Sequence, residues 1–151
     1  MSASQTQASP RAVLRRYHRA MLAKSADDLA DLYAIDAVHE FPFAFPAFPE
    51  RYLGRAEIRV GYRAAWQDHP VDITEITEVV TYSAEDPAVV IADHAISGTV
   101  RATGAPFNLR GLLILEVHDG LITHARDYMD ALSVMGQLGG LVDRPDPVHA
   151  D

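Results

Sequence analysis

Apolar positions in the first part of this chain recur mostly every three to four residues, and from Val71 onward they come in short alternating runs. The first spacing is that of helices and the second that of strands. Ser9-Pro10 reads as an N-cap followed by proline at the first helical position, where its missing N–H costs nothing. The helix it opens, about Pro10 to Ala23, puts Val13, Leu14, Tyr17, Ala20 and Met21 on one side and Arg15, Arg16 and Arg19 on the other. Ser25 with Asp27 and Asp28 starts a second helix, with Leu29, Leu32 and Tyr33 inward and an end near Ala34. A third, Arg55 to Gln67 after Gly54, carries Ile58, Tyr62, Ala65 and Trp66 at helical spacing.

Between the second and third helices, Ala37 to Phe43 reads as a short strand broken by Pro42, which belongs at an edge or a strand end because it cannot donate to a ladder. Further strands follow over Asp72 to Tyr82, Ala88 to Thr99 and Phe107 to Val117, and the turn signal Asp119-Gly120 launches a last one. Four consecutive strands with short turns predict an antiparallel meander, with the early short strand added at an edge. Ala131 to Leu138 is a final amphipathic turn or two, ending at Gly139-Gly140. The fold class is therefore α+β: three N-terminal helices packed on a strongly curved, mainly antiparallel sheet. Residues 9–141 are expected to form one domain, with 1–8 and 142–151 as disordered ends.

The last strand holds the first candidate for chemistry. Strict alternation places Leu121, Thr123, Ala125, Asp127 and Met129 on one face and Ile122, His124, Arg126, Tyr128 and Asp130 on the other. Asp127 is then the only charge on its face, where desolvation can tune a carboxyl for acid/base work; an ion pair or a hydrogen bond to Tyr17 is the plainer alternative. Tyr17 can donate to a developing oxyanion, or simply pack. Asp93 and His94 are strand neighbours, so one of them faces inward, as a second carboxyl or as a general base. His39 and Glu40 pose the same choice at the pocket mouth.

Four of the five phenylalanines, Phe41, Phe43, Phe45 and Phe48, are interleaved with Pro42, Pro46 and Pro49. So apolar a loop either covers a cavity or a partner subunit, or completes the core. Phe41 and Phe43, with His39, Trp66 and Met129, are the candidates for lining a substrate pocket.

Composition narrows the function classes. The 151 residues suffice for one well-buried core, and a formal charge of −8 with scattered arginines excludes a nucleic-acid binder. There are no cysteines, which rules out thiol chemistry and suits a cytoplasmic location. No apolar run approaches a membrane span, and the first residues lack the pattern of a signal peptide. The seven histidines show no zinc-type spacing, and no phosphate loop or dinucleotide fingerprint is present, so neither a metal nor an organic cofactor is expected.

Four stretches carry a family resemblance: the helix Val13 to Ala20, the strand entry Asp36 to Pro42, the helix start Gly54 to Ile58, and the closing Asp119 to Asp130. Over about Ser9 to Leu141 they resemble the cone-shaped, cystatin-like fold of the nuclear transport factor 2-like superfamily, particularly its SnoaL-like branch. Within that group Tyr17 matches the helix tyrosine of ketosteroid isomerases, whose base position falls on about Phe41 here. Arg126 to Asp130 looks similar to limonene-epoxide hydrolases. Asp127 lies near the acid/base aspartate of SnoaL-like polyketide cyclases, and the phenazine-biosynthesis A/B proteins carry a glutamate at that point. The resemblance implies a hydrophobic small-molecule ligand and cofactor-free isomerisation, cyclisation or epoxide hydration, centred on Asp127 with Tyr17, Asp93 or His94 assisting. A non-catalytic binding or dimerisation module is the alternative. A homodimer is expected in either case, because the outward faces of the late strands carry Leu112, Ile114, Ile122 and Tyr128.

Overall fold

A computed structural model describes residues 7–43 and 48–139. Its helices are α1 (Pro10–Ala23), α2 (Ala26–Ala30), α3 (Arg55–Gln67) and α4 (Ala131–Leu138); its strands are β1 (Tyr33–Glu40), β2 (Arg51–Leu53), β3 (Val71–Ser83), β4 (Val89–Val100), β5 (Pro106–His118) and β6 (Leu121–Met129). All six strands form one sheet in the order β2-β1-β6-β5-β4-β3. β3 to β6 are the expected antiparallel meander, while β1 runs parallel to β6. This is the α+β architecture that the periodicity predicts. Of the segments expected to be disordered, 1–6 and 142–151 fall outside the described residues, as do Phe45 and Pro46 of the aromatic loop.

α1 begins as its sequence dictates. The Ser9 hydroxyl accepts from the Ala12 N–H at 3.2 Å, and Pro10 takes the first helical position. Val13, Leu14, Tyr17 and Ala20 are buried as the helical stripe requires, and His18 beside them is buried too. α2 is shorter than expected. It ends at Ala30, and Tyr33 opens β1 instead of closing a helix. All three of its predicted inward residues, Leu29, Leu32 and Tyr33, are nevertheless buried, since the apolar run serves either element.

β1 is not an edge strand. β2 pairs with it on one side and β6 on the other, so β2 takes the edge and Pro42 falls just past the end of β1. The N–H of Phe41 donates to Glu50 O at 2.8 Å, tying the chain after β1 to the start of β2. An irregularity between Tyr33 and Val38 loops Ile35 and Asp36 out into solvent. From there the alternation resumes with Ala37 and His39 inward, and Phe41 just beyond the strand is buried as well.

The Asp119-Gly120 turn has φ of 52° and 76°, the two left-handed residues that a tight hairpin wants. β6 departs from strict alternation because Thr123 is bulged: Glu116 pairs with His124 but Val117 pairs with Ile122. Ile122 is consequently fully buried, not on the outward face, while Ala125 and Asp127 point inward as expected. The main core lies between the inner sheet face and α1, α2 and α3. A smaller cluster of Val71, Val100, Phe107, Val134 and Leu138 lies under α4.

Candidate active site

Five polar side chains from four elements converge inside the cone. α1 contributes Tyr17, β1 contributes Tyr33 and His39, α3 contributes Tyr62, and β6 contributes Asp127. Each arrives by the periodicity of its own element. Tyr62 follows Ile58 by one helical turn, Tyr17 stands in the stripe of Val13 and Leu14, and His39 and Asp127 take inward places two residues after Ala37 and Ala125.

His39 is the hub. Its ring is fully buried, with Nδ1 2.7 Å from the Tyr33 hydroxyl and Nε2 3.0 Å from the Tyr62 hydroxyl. The same Nε2 lies 3.3 Å from Asp127 Oδ2. With the ring proton on Nε2, the side that faces the carboxylate, the Tyr62 oxygen accepts from Nε2–H and Nδ1 accepts the Tyr33 O–H. The Asp127 side chain is 10% exposed.

The three phenols hold their protons. Burial, then Tyr62 and Asp127, push the Tyr17 hydroxyl well above the usual phenol range. Burial, then Tyr17 and Asp127, do the same to Tyr33, and burial, then Asp127 and Tyr33, to Tyr62. All three are therefore O–H donors at neutral pH. Tyr33 spends its proton on His39 Nδ1, and the Tyr62 oxygen meets Nε2. Tyr17 is different: its hydroxyl is fully buried and meets no partner at hydrogen-bonding geometry among the described residues, although Tyr33 and Tyr62 stand close enough to influence its ionisation. A buried donor left unsatisfied costs about 1–3 kcal/mol, a penalty that a ligand oxygen would relieve.

Aromatic rings form one wall of this cluster. Phe41 packs on His39 with ring centroids 4.8 Å apart and on Tyr52 at 5.7 Å, and Phe48 lies 5.0 Å from Phe41. Trp66 is half-buried against Tyr62 at 4.9 Å. Met129 packs on the same core from the end of β6.

The family follows from direct comparison. A family model for the SnoaL-like domain matches residues 14–125. The chain belongs to the SnoaL-like family. The match contains Tyr17, Tyr33, His39 and Tyr62 and stops two residues short of Asp127. Among curated relatives, the uncharacterised protein YesE of Bacillus subtilis is 32% identical over 129 residues, covering 84% of this chain and 85% of that protein. An uncharacterised PhzA/B-like protein of Pseudomonas aeruginosa is 30% identical over 112 residues, covering 74% and 77%. A presumptive isomerase from Bacillus subtilis has a solved structure that superposes with a TM-score of 0.75 at 31% identity, covering 85% of this chain and 91% of that one. A phenazine biosynthesis-related protein from Pseudomonas aeruginosa shares the fold at a TM-score of 0.65 and 15% identity, covering 93% and 92%.

For this SnoaL-like chain, several candidates read from the sequence meet at one place: Asp127, Tyr17, His39 and Phe41, with Trp66 and Met129 at the rim. Others do not. Asp93 points out of the opposite sheet face, where Arg110 clasps it through Nε at 2.7 Å and Nη2 at 2.9 Å. That hydrogen-bonded guanidinium holds its carboxyl below the usual range. His94, its neighbour, is the one that faces inward. Phe43 is 62% exposed and packs on the outward Tyr128 ring at 5.2 Å, so it lines no part of the cone. Tyr33 and Tyr62 escaped sequence reasoning because a tyrosine in an apolar stripe looks like core. The available signal was three tyrosines, Tyr17, Tyr33 and Tyr62, on inward stripes, more hydroxyl than a dry core would place together.

An open concavity of about 590 Å³ also lies on the outward face, bordered by Phe43, the Asp93–Arg110 pair, Leu112, Tyr128 and Leu132. It is on the wrong side of the sheet to involve Asp127. No three histidine, aspartate or glutamate side chains among the described residues converge as metal ligands. No helix among them is long and apolar enough to cross a membrane.

Proposed function

We propose that this protein is a cofactor-free acid/base enzyme that isomerises or cyclises a hydrophobic, carbonyl-bearing small molecule inside the cone. The observation that carries the reading is the pairing of Asp127, braced by His39 at 3.3 Å, with the unsatisfied Tyr17 hydroxyl. Asp127 removes a proton from the carbon next to the carbonyl and returns it at another position, and Tyr17 donates to the oxygen on which charge develops. His39 keeps the carboxylate oriented, while Phe41, Tyr52 and Trp66 supply the apolar wall. Similarity to a presumptive isomerase and membership of the SnoaL-like family support this reaction class.

The test is exchange of α-protons for deuterium in ketone probes, followed by NMR. Asp127→Asn should slow exchange by roughly 10²–10⁴-fold, and Tyr17→Phe by roughly 10²–10³-fold, both with unchanged circular dichroism. Exchange by the Asp127→Asn protein at the wild-type rate would sink the proposal.

A homodimer is proposed as well. The outward sheet face presents half-buried Ile91, Leu112, Ile114 and Tyr128, with Phe43 lying over Tyr128, an apolar surface of the kind that a second copy covers. The same outward face would serve a purely non-catalytic dimerisation module, which predicts self-association without α-proton exchange.

A further inference from the structure

A second pair of buried polar side chains lies in the same cone and makes no hydrogen bond to the Asp127 cluster among the described residues. His18 Nε2 and His94 Nδ1 are 3.0 Å apart, with both rings almost fully buried. On the far side of His18, Nδ1 faces the half-exposed Glu78 carboxylate at 3.6 Å. That is an ion-pair separation, not a hydrogen bond, but it suffices to favour a proton on the nitrogen that looks at the charge.

Both imidazoles are neutral at pH 7. Burial and the neighbouring His94 bring His18 down to about 4, and burial lowers His94 even though Asp127, Asp93 and Glu78 oppose it. Two neutral rings can share their contact in only one orientation once Glu78 is counted. His18 carries its proton on Nδ1, toward Glu78, and its bare Nε2 accepts from the Nδ1–H of His94. His94 Nε2 is then left with a lone pair and no partner among the described residues.

The direction of that lone pair follows from the sheet. Inward residues of neighbouring strands form two rows: Ala92, Leu113 and Asp127 in one, His94, Gly111 and Met129 in the next. The imidazole lies across Gly111, where a Cβ would come within 3.0 Å of Nε2. The missing side chain gives the ring room over β5, and Asp127 is near enough to act on its ionisation.

We propose that His94 Nε2 is the acceptor of a hydroxyl-recognising subsite in the cone, so that the ligand carries an O–H group, as a phenol, enol or alcohol, apart from the carbonyl served by Asp127 and Tyr17. This rests on the reading of the cone as the ligand site. His18 and Glu78 are positioning residues: they touch no ligand and act by holding the tautomer.

Two measurements test it. Long-range ¹H–¹⁵N correlation of the histidine rings at pH 7 should find His94 protonated on Nδ1 and bare on Nε2. Glu78→Gln should bring in the opposite tautomer. A proton found on His94 Nε2 in the wild-type protein overturns the proposal whatever the ligand. Second, a hydroxynaphthyl methyl ketone should bind roughly tenfold tighter than the same ketone lacking the hydroxyl. His94→Leu should erase that preference, and Gly111→Ala, which displaces the ring without removing it, should reduce it. Equal binding of the two ketones by the wild-type protein overturns the subsite but leaves the Asp127 chemistry standing, since that is judged separately by α-proton exchange.

Discussion

An imidazole shut away from water gives up its charge, and at His18 the effect reaches the stability of the whole chain. In the folded state its pKa is lowered from 6.5 to about 4, first by burial and then by His94. Between those values the unfolded chain binds a proton that the folded chain refuses, so stability is fully present above about pH 6.5 and falls as the pH drops toward 4. The loss is on the order of 2 kcal/mol at the lower end, after allowing for the ring's remaining contact with solvent. His94 and His69, also lowered chiefly by burial, act with the same sign. Urea titrations at pH 7 and pH 4.5 should show this loss, and a smaller one in His18→Asn. Identical losses in the two proteins would refute the assignment to His18. The same logic explains the quiet tyrosines, for burial that drives a histidine neutral keeps a phenol protonated and ready to donate.

Elements reveal where local pattern is sufficient and where it is not. The boundaries of α1, α3 and α4 are legible because capping, proline placement and 3.6-residue spacing all act within a few residues. β1 was half-hidden, because Leu29 to Tyr33 is apolar enough for either a helix end or a strand start, and pairing with β6 across the fold decided it. The bulge at Thr123 was invisible for the same reason: an extra residue on one strand exists only relative to its partner. Glycines make the point testable. A methyl group at Gly98 would run into the Asp72 carbonyl on β3, whereas at Gly136 in α4 there is nothing within 4 Å of it. Gly98→Ala should therefore cost about 2–3 kcal/mol by forcing β3 from β4. Gly136→Ala should stabilise by about 0.5–1 kcal/mol through helix propensity. Thermal melts of the two variants should move in opposite directions, by roughly 2–4 °C per kcal/mol. Melting points shifted the same way would contradict this account.

At the scale of the whole molecule the sheet has two faces with different occupations. The inner one carries the core and the Asp127, His39 and tyrosine cluster; the outer one carries the half-buried apolar patch around Leu112 and Tyr128. Sedimentation at micromolar concentration should give twice the 16.6 kDa chain mass, and Leu112→Glu should return it to one. A wild-type monomer would retire the proposed homodimer. The two faces also keep the proposals separable, since a dimer-breaking substitution at Leu112 lies across the sheet from Asp127.

Alternation and helical spacing are enough to fix the class of fold, the apolar stripes and the inward orientation of Asp127 and Tyr17, because each depends on a period of two or of 3.6 that neighbouring residues enforce. The sequence left open whether Asp93 or His94, and whether His39 or Glu40, turns inward, and its inward tyrosines did not show that two of them would close on His39 beside a carboxylate. Packing settled those, since a strand's alternation has no absolute phase until the sheet shows which face is buried. A hydrogen bond between residues 23 or 76 positions apart, as in Tyr62 to His39 or His18 to His94, exists only once the elements have packed.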